Sequence, residues 1–304
     1  MRRFLALSRS KHGIVDVAMP GFVALLWLGH FPSWPVLLLS LLTAIAGYTA
    51  IYALNDLVGV KADREKFAGA GMNQGYSLEA SDMRHPLAQN ILSMRGGVAW
   101  FVFWYALTLV GAYRLNPALV IIVIAAAALE TIYCMLLKVT YWRTLVSGLV
   151  KSAGPLAAVF VVTPDPSLPL LLLLLAWLMC WEIGGQNIPA DWNDVEEDKR
   201  VGAKTIPLTF GPRVAGRLVV VTLALTVILS LFLPRMSPLA LGAPYLVATS
   251  TAGFFLLLLP SWQLFRSHDY REAAKLFDRA SHYPLVQLAI VTVFVLLWQL
   301  HPAR

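Results

Sequence analysis

The chain has 304 residues, 58% of them hydrophobic and 13% charged, with a mean hydropathy of +0.68. A soluble domain carries nearer a quarter charged residues, so this composition excludes a soluble protein and indicates a polytopic membrane protein. The net charge of +7 is not a nucleic-acid signal, because the basic residues are dispersed over alternate loops instead of forming one patch.

A membrane span needs roughly 20 apolar residues. About nine such runs follow one another, at approximately 13–31, 35–57, 97–113, 116–137, 144–163, 168–189, 214–234, 240–260 and 282–300. The expected fold is therefore all-α: a single polytopic domain over residues 1–304 with about nine transmembrane helices bundled around a central apolar cavity. The basic N-terminus, Met1 to Lys11, lacks a small-residue cleavage site and reads as a cytoplasmic lead-in. Cys134 and Cys180 lie within apolar runs and imply no disulfide framework.

Twenty of the 24 lysines and arginines fall on the N-terminal side of the alternating runs. Such asymmetry predicts an N-in, C-out orientation; the expected location is a bacterial or archaeal cytoplasmic membrane. The outer connections are short and proline-rich, such as Phe31 to Pro35. The inner ones are long, at about 58–96, 190–213 and 261–281. Long connections in a compact protein usually carry function, which directs attention to the cytoplasmic face. The last of them, Asp269 to Ser281, reads as an amphipathic stretch with Leu276 and Phe277 inward.

The sixth run leads into Asn187-Ile-Pro-Ala-Asp191-Trp-Asn-Asp194-Val-Glu196-Glu197-Asp198, with five acids between positions 191 and 198. Asp191, Asp194 and Asp198 fall at i, i+3 and i+7, on one helical face that Asn187 extends. Like charges crowded this way repel unless something cationic lies between them. The second run ends in a weaker echo: Asn55-Asp56-Leu-Val-Gly59-Val-Lys61-Ala-Asp63-Arg64. Basic residues follow each stripe: Lys61 and Arg64 after the first, Lys199, Arg200 and Lys204 after the second. Carboxylates for a hard cation such as Mg2+, with cations for phosphate oxygens, describe a diphosphate cradle. No histidine or cysteine pair has zinc-ligand spacing. The charged Asp16, Glu130, Lys151 and Glu182 lie inside apolar runs, where charge is costly and marks function by default; Lys151 could pair with Asp16 or Glu182, or contact an acceptor.

At these motifs the chain resembles the UbiA-type intramembrane prenyltransferases, over most of its length. The resemblance implies nine transmembrane helices, aspartate-rich motifs at the cytoplasmic ends of helices 2 and 6, and Mg2+-dependent transfer of a prenyl group from an isoprenyl diphosphate to a small, aromatic acceptor in the lipid bilayer. The stretch from Asp191 to Thr205 is close to the family's DxxDxExDxxxGxxT form. It implies Asp191, Asp194 and Asp198 as catalytic metal ligands, with Asn187 and Lys204 on the substrate. The family's first motif, NDxxDxxxD, is matched at Asn55, Asp56 and Asp63, but Gly59 stands where an aspartate is expected. The resemblance therefore assigns metal to Asp56 and Asp63, with a loop acid such as Glu65 as a possible helper, and substrate to Asn55 and Arg64. Arg84-His85-Pro86-Leu87-Ala-Gln-Asn90 resembles the family's NRPLxxG segment, with His85 for its arginine, and arrives after an insert of roughly 65–82 that reads as a substrate-ordered lid or a loop extension. Tyr133 to Lys138 resembles a further segment that assigns Lys138 to the diphosphate. Two alternatives stay open from sequence: a related enzyme that ionises the diphosphate and cyclises or eliminates without an acceptor, and a non-catalytic lipid-binding or transport protein.

Overall fold

The computed structural model describes residues 2–68 and 84–300. The larger part of the 65–82 insert lies outside the described residues. Among them the secondary structure is all helical: α1 Arg2–Leu7, α2 Ser10–Asp16, α3 Ala18–Leu28, α4 Trp34–Phe67, α5 Met94–Leu115, α6 Ala118–Met135, α7 Arg143–Val162, α8 Leu168–Trp181, α9 Ile188–Asn193, α10 Val195–Arg200, α11 Ile206–Ser230, α12 Ala243–Gly253, α13 Leu259–Ser267 and α14 Tyr270–Leu300.

Among the described residues, eight helical segments are long and apolar enough to cross a membrane. The first expected span, 13–31, is divided between α2 and α3. The division is shallow: Val17 keeps right-handed helical angles, and the amides of Val17 and Gly21 still bond the carbonyls of Gly13 and Val17, both at 3.3 Å. Ser10 to Leu28 is thus nearly one helix, about 28 Å long at 1.5 Å per residue. Side chains such as Leu38, Phe103, Ile121 and Val247 are exposed. An outer surface of this kind suits lipid, where the backbone must satisfy itself and helices are the simplest way to do so.

The described parts of the stretches read as inner loops are largely helical. α4 continues ten residues past position 57, so Asp56 to Lys66 lie on a helix rather than in a loop. The 190–213 stretch contains α9 and α10, and α14 begins at Tyr270. Loss of hydropathy marks where a helix leaves lipid, not where its hydrogen bonds stop. Charged residues such as Lys61, Arg64 and Glu65 are good helix formers once outside the apolar layer.

Helices α4, α5 and α6 pack together on one side, and α8, α11, α12, α13 and α14 on the other; α3 and α7 lie between, with α3 touching both α7 and α14. The main core lies between α3 and the second group, around Phe22, Trp177, Leu223 and Tyr283. α8 runs on through a π-helical turn, Glu182–Asn187, into α9. Two glycines in that turn let the backbone come close to its neighbours. A β-carbon at Gly184 would sit 2.2 Å from Thr222 Oγ1, and one at Gly185 would sit 2.9 Å from Ala280 Cβ. π-turns of this kind often occur at functional sites, and this one delivers Asn187.

Candidate active site

A cavity of about 650 Å³ runs between the two helix groups. Its far end is lined by residues of the outer connections, including Phe31, Pro32 and Leu115; its near end is lined by Asn55, Glu130, Tyr133, Asn187 and Ala190. The walls are mainly apolar, with Tyr48, Tyr52, Tyr105 and Phe277 among them. Both asparagines that open the acidic stretches therefore face one space, and the acids follow directly beyond each.

The second stretch folds as two short helices that meet at Asp194 (φ −96°, ψ 9°). The break costs little register: Asp194 N–H bonds Ala190 O at 3.1 Å and Asp198 N–H bonds Asp194 O at 2.8 Å. α10 ends where Gly202 takes φ +68°, a left-handed angle that glycine adopts without strain. The chain then turns back, and Lys204 N–H donates to Leu137 O at 2.7 Å. That bond pins the end of the motif to the α6–α7 connection.

Four of the five acids of this stretch meet a cation from elsewhere in the chain. Arg143 Nη1 donates to Asp191 Oδ1 at 3.0 Å, both groups being buried, and its guanidinium lies 4.1 Å from the centre of the Tyr133 ring. Arg84 pairs with Asp194 and reaches Glu197 at 3.5 Å. Lys66, from the end of α4, meets Asp198 at 2.6 Å. Burial pushes the Asp198 carboxyl above its usual range; Lys66 pulls against this, and the charge on Asp194 adds to it.

The first stretch is built differently. His85 Nδ1 lies 2.8 Å from Asp56 Oδ1 and 3.1 Å from Asp63 Oδ2. Burial alone would depress this imidazolium, but the carboxylates of Asp63 and Asp56 outweigh it and hold His85 above its ordinary value. Arg84 and His85 are adjacent in sequence yet serve different stretches, Asp194 and Glu197 for one, Asp56 and Asp63 for the other. This pair and the Lys66–Asp198 contact bring the two acidic stretches to one end of the cavity.

The remaining expected residues fall into two groups. Asn55 Nδ2 donates to Glu130 Oε1 at 2.5 Å and its Oδ1 accepts from Arg9 at 3.2 Å; Asn187 Nδ2 donates to Tyr133 Oη at 3.1 Å. Both stay at the cavity end. Arg64 instead donates to Asn90 Oδ1 at 3.1 Å and steadies the 84–92 turn. Lys138 pairs with Glu65 at the surface, each side chain 43% exposed, so Glu65 does not join Asp56 and Asp63. The Lys204 side chain is exposed. Of the charges inside the apolar runs, Lys151 pairs with Asp16 at 2.6 Å and with Tyr52 Oη at 2.8 Å, while Glu182 accepts from Ser147 at 2.6 Å.

Sequence reasoning counted Arg143 and Lys66 only as basic residues near the membrane surface and did not single out Glu197. Nothing local distinguishes them; their roles arise from contacts between distant segments. The six carboxylates of Asp56, Asp63, Asp191, Asp194, Glu197 and Asp198 face Lys66, Arg84, Arg143 and His85, which leaves a surplus of negative charge. Asp56 Oδ2, Asp191 Oδ2 and Asn187 Oδ1 are buried with no hydrogen-bond partner among the described residues. Unsatisfied hard oxygen donors in a region of excess negative charge fit a divalent cation such as Mg2+.

The sequence model of the UbiA prenyltransferase family matches residues 17–298. The chain belongs to this family. Among known proteins it is 37% identical over 116 residues to a digeranylgeranylglyceryl phosphate synthase of Methanosarcina mazei, a match covering 38% of each protein. It is 23% identical over 229 residues to a protein of the same name from Methanococcoides burtonii, covering 73% of this chain and 79% of that one. In fold it is similar to an apo UbiA homologue from Aeropyrum pernix K1, with a TM-score of 0.74 and 20% identity over 93% of this chain and 98% of that one. It is likewise similar to a UbiA homologue from Archaeoglobus fulgidus bound to DMAPP and Mg2+, with a TM-score of 0.68 and 18% identity over 96% and 99% of the two chains.

Proposed function

We propose that this protein transfers a prenyl group from an isoprenyl diphosphate to a small acceptor inside the membrane. The observation that carries the reading is the adjacent pair Arg84 and His85, which joins the two acidic stretches at the cavity end. In this reading Asp56, Asp63, Asp191, Asp194 and Asp198 hold Mg2+, as the A. fulgidus homologue's bound DMAPP and Mg2+ support. Bound Mg2+ supplies charge neutralisation of the diphosphate as it leaves.

The protein's own groups do the rest. Arg84, Arg143 and Lys66 are the permanent cations nearest the acids and meet phosphate oxygens in the bound state. Lys138, Lys204 and Arg64 stand further out and steer the diphosphate inward. Asn55 and Asn187 orient it at the cavity mouth. The allylic C–O bond breaks toward the diphosphate, and the cation left on the prenyl chain lies among apolar walls that exclude water. Tyrosine faces such as Tyr48 and Tyr105 attract that cation. The acceptor's nucleophilic atom then forms the new bond and loses its proton.

The orientation proposed is N-in and C-out, with α2–α3 as the first of nine crossings and the site facing the cytoplasm. The acceptor expected from sequence is aromatic. A glyceryl phosphate acceptor is the second reading, favoured by the names of the two archaeal relatives. Incubating the purified protein with a labelled prenyl diphosphate, Mg2+ and each acceptor class separates them by the product formed. A hydrocarbon or alcohol without acceptor would indicate the cyclase or lyase alternative. No product, with lipid transport in liposomes, would remove the enzyme reading.

A further inference from the structure

We infer that the first acidic stretch holds its divalent ion through His85 as well as Asp56 and Asp63, and that this nitrogen ligand makes the site favour a first-row transition ion such as Mn2+ over Mg2+. The inference rests on the prenyl-transfer reading for its setting, but on separate observations for its ligands.

The first observation is space. Gly59 lacks the carboxylate that the family motif carries there, and Asp63 fills the opening: a β-carbon built on Gly59 would lie 3.0 Å from Asp63 Oδ2. Asp63 thereby reaches the same point as Asp56, about two turns away along α4.

The second is donor geometry. Asp56, Asp63 and His85 each offer one ligand atom, all within 4.8 Å of one another, and all three residues are buried. The contacts of His85 Nδ1 with the two carboxylates, 2.8 and 3.1 Å, match the separation of adjacent ligands around an octahedral ion, which is about 3.0 Å for bonds of about 2.1 Å. Three protein ligands leave about three further positions of an octahedron for water and diphosphate oxygens. Asp56 Oδ2, in a residue 2% exposed, has no hydrogen-bond partner among the described residues and is available as a further donor.

The third is the fixed presentation of the imidazole. His85 takes φ +51°, a left-handed angle that a non-glycine residue adopts at a cost and that tends to persist at functional sites. The turn that imposes it is secured on several sides: Ile91 N–H bonds Pro86 O at 2.9 Å, Gln89 N–H bonds His85 O at 3.2 Å, and Arg64 holds Asn90. An arginine at this position could supply a charge but no ligand. A histidine supplies a ligand, and imidazole suits transition ions where carboxylate alone suits Mg2+ or Mn2+.

Pulsed electron paramagnetic resonance tests this without turnover. The full-length protein in detergent, stripped of metal, is titrated with Mn2+ in the absence of diphosphate. Nitrogen modulation is then recorded with unlabelled protein and with protein carrying ¹⁵N-histidine. The expected result is Mn2+ bound with a directly coordinated nitrogen whose signal changes on histidine labelling. His85→Gln removes that signal and weakens Mn2+ by about tenfold or more, as expected on losing a metal-site residue, while changing Mg2+ affinity much less. Bound Mn2+ without histidine nitrogen overturns the inference, as does no Mn2+ binding at all; both are read on the wild-type protein, so a His85→Gln variant that fails to fold does not blur the result. Product formation is measured separately. A nitrogen signal without turnover keeps this inference and removes the transferase reading; turnover with an oxygen-only Mn2+ site does the reverse.

Discussion

The two acidic stretches begin alike, an asparagine followed by spaced aspartates, and end as different chemical objects. In the second, Asp191, Asp194 and Asp198 meet Arg143, Arg84 and Lys66, one cation each, drawn from α7, the 84–92 turn and α4. In the first, Asp56 and Asp63 share a single imidazole. The contrast teaches that an acidic motif is defined by what faces it. The second stretch has a permanent cation opposite each of these three aspartates. The first has Gly59 where the family motif carries a carboxylate, and an imidazole beside its two aspartates. Internal similarity in the sequence thus does not extend to the chemistry of the folded ends.

The largest break in this comparison comes from the second stretch. Asp191→Asn and Asp194→Ala are each expected to lower turnover by at least about 100-fold, the scale of removing one preorganised electrostatic group from an active site. Prenyl transfer assayed in detergent checks this, with size-exclusion chromatography as the folding control. Turnover within a few fold of wild type would remove these residues as metal ligands.

Next is Arg143→Met. It leaves the buried carboxylate of Asp191 without its ion-pair partner, and breaking a buried pair by removing one member costs about 3–5 kcal/mol. The expected outcome is a lowered unfolding midpoint in detergent, partly restored when Asp191→Asn is added. An unchanged midpoint in the single variant would mean that water already carries the Asp191 charge.

These effects also mark how far the sequence could be read. The helix order and both acidic stretches were legible, because apolar runs of span length and i, i+3, i+7 acids are local patterns. The partners were not. Arg143 stands 48 residues from Asp191 and Arg84 stands 110 from Asp194, so no window of the sequence contains the pair. Helix ends were missed for a related reason: apolarity ceases near residue 57, whereas the hydrogen-bonded ladder of α4 continues to Phe67. The shallow bend at Val17 and the π-turn at Glu182–Asn187 are backbone features that hydropathy does not register; the π-turn packs Gly184 and Gly185 tightly against Thr222 and Ala280.

A smaller effect sharpens the comparison from the first stretch. Gly59→Asp places a side chain 3.0 Å from Asp63 Oδ2 at its first carbon and adds a like charge, so Asp63 must move. Turnover is expected to fall by about tenfold, the scale of disturbing a metal site's supporting geometry. Gly59→Asp combined with His85→Arg restores the family pattern and is expected to recover most of the loss. A single variant at least as active as wild type would mean that the space above Gly59 does not shape the site.

The smallest effect separates steering from structure. Lys138 pairs with Glu65 at the surface, both side chains 43% exposed, and exposed pairs contribute about 0–1 kcal/mol. Lys138→Ala is therefore expected to leave the unfolding midpoint unchanged. If Lys138 draws the diphosphate inward, the same variant raises KM for the prenyl diphosphate by a few fold at low salt, and the difference fades as salt is added, because exposed charges more than about 10 Å apart are screened at 0.1 M. Glu65→Ala removes the partner that occupies Lys138 and is expected to shift KM the opposite way. If neither KM moves, the working cations are the inner set, Arg84, Arg143 and Lys66, and the outer lysine serves only to keep its end of α6 at the membrane surface.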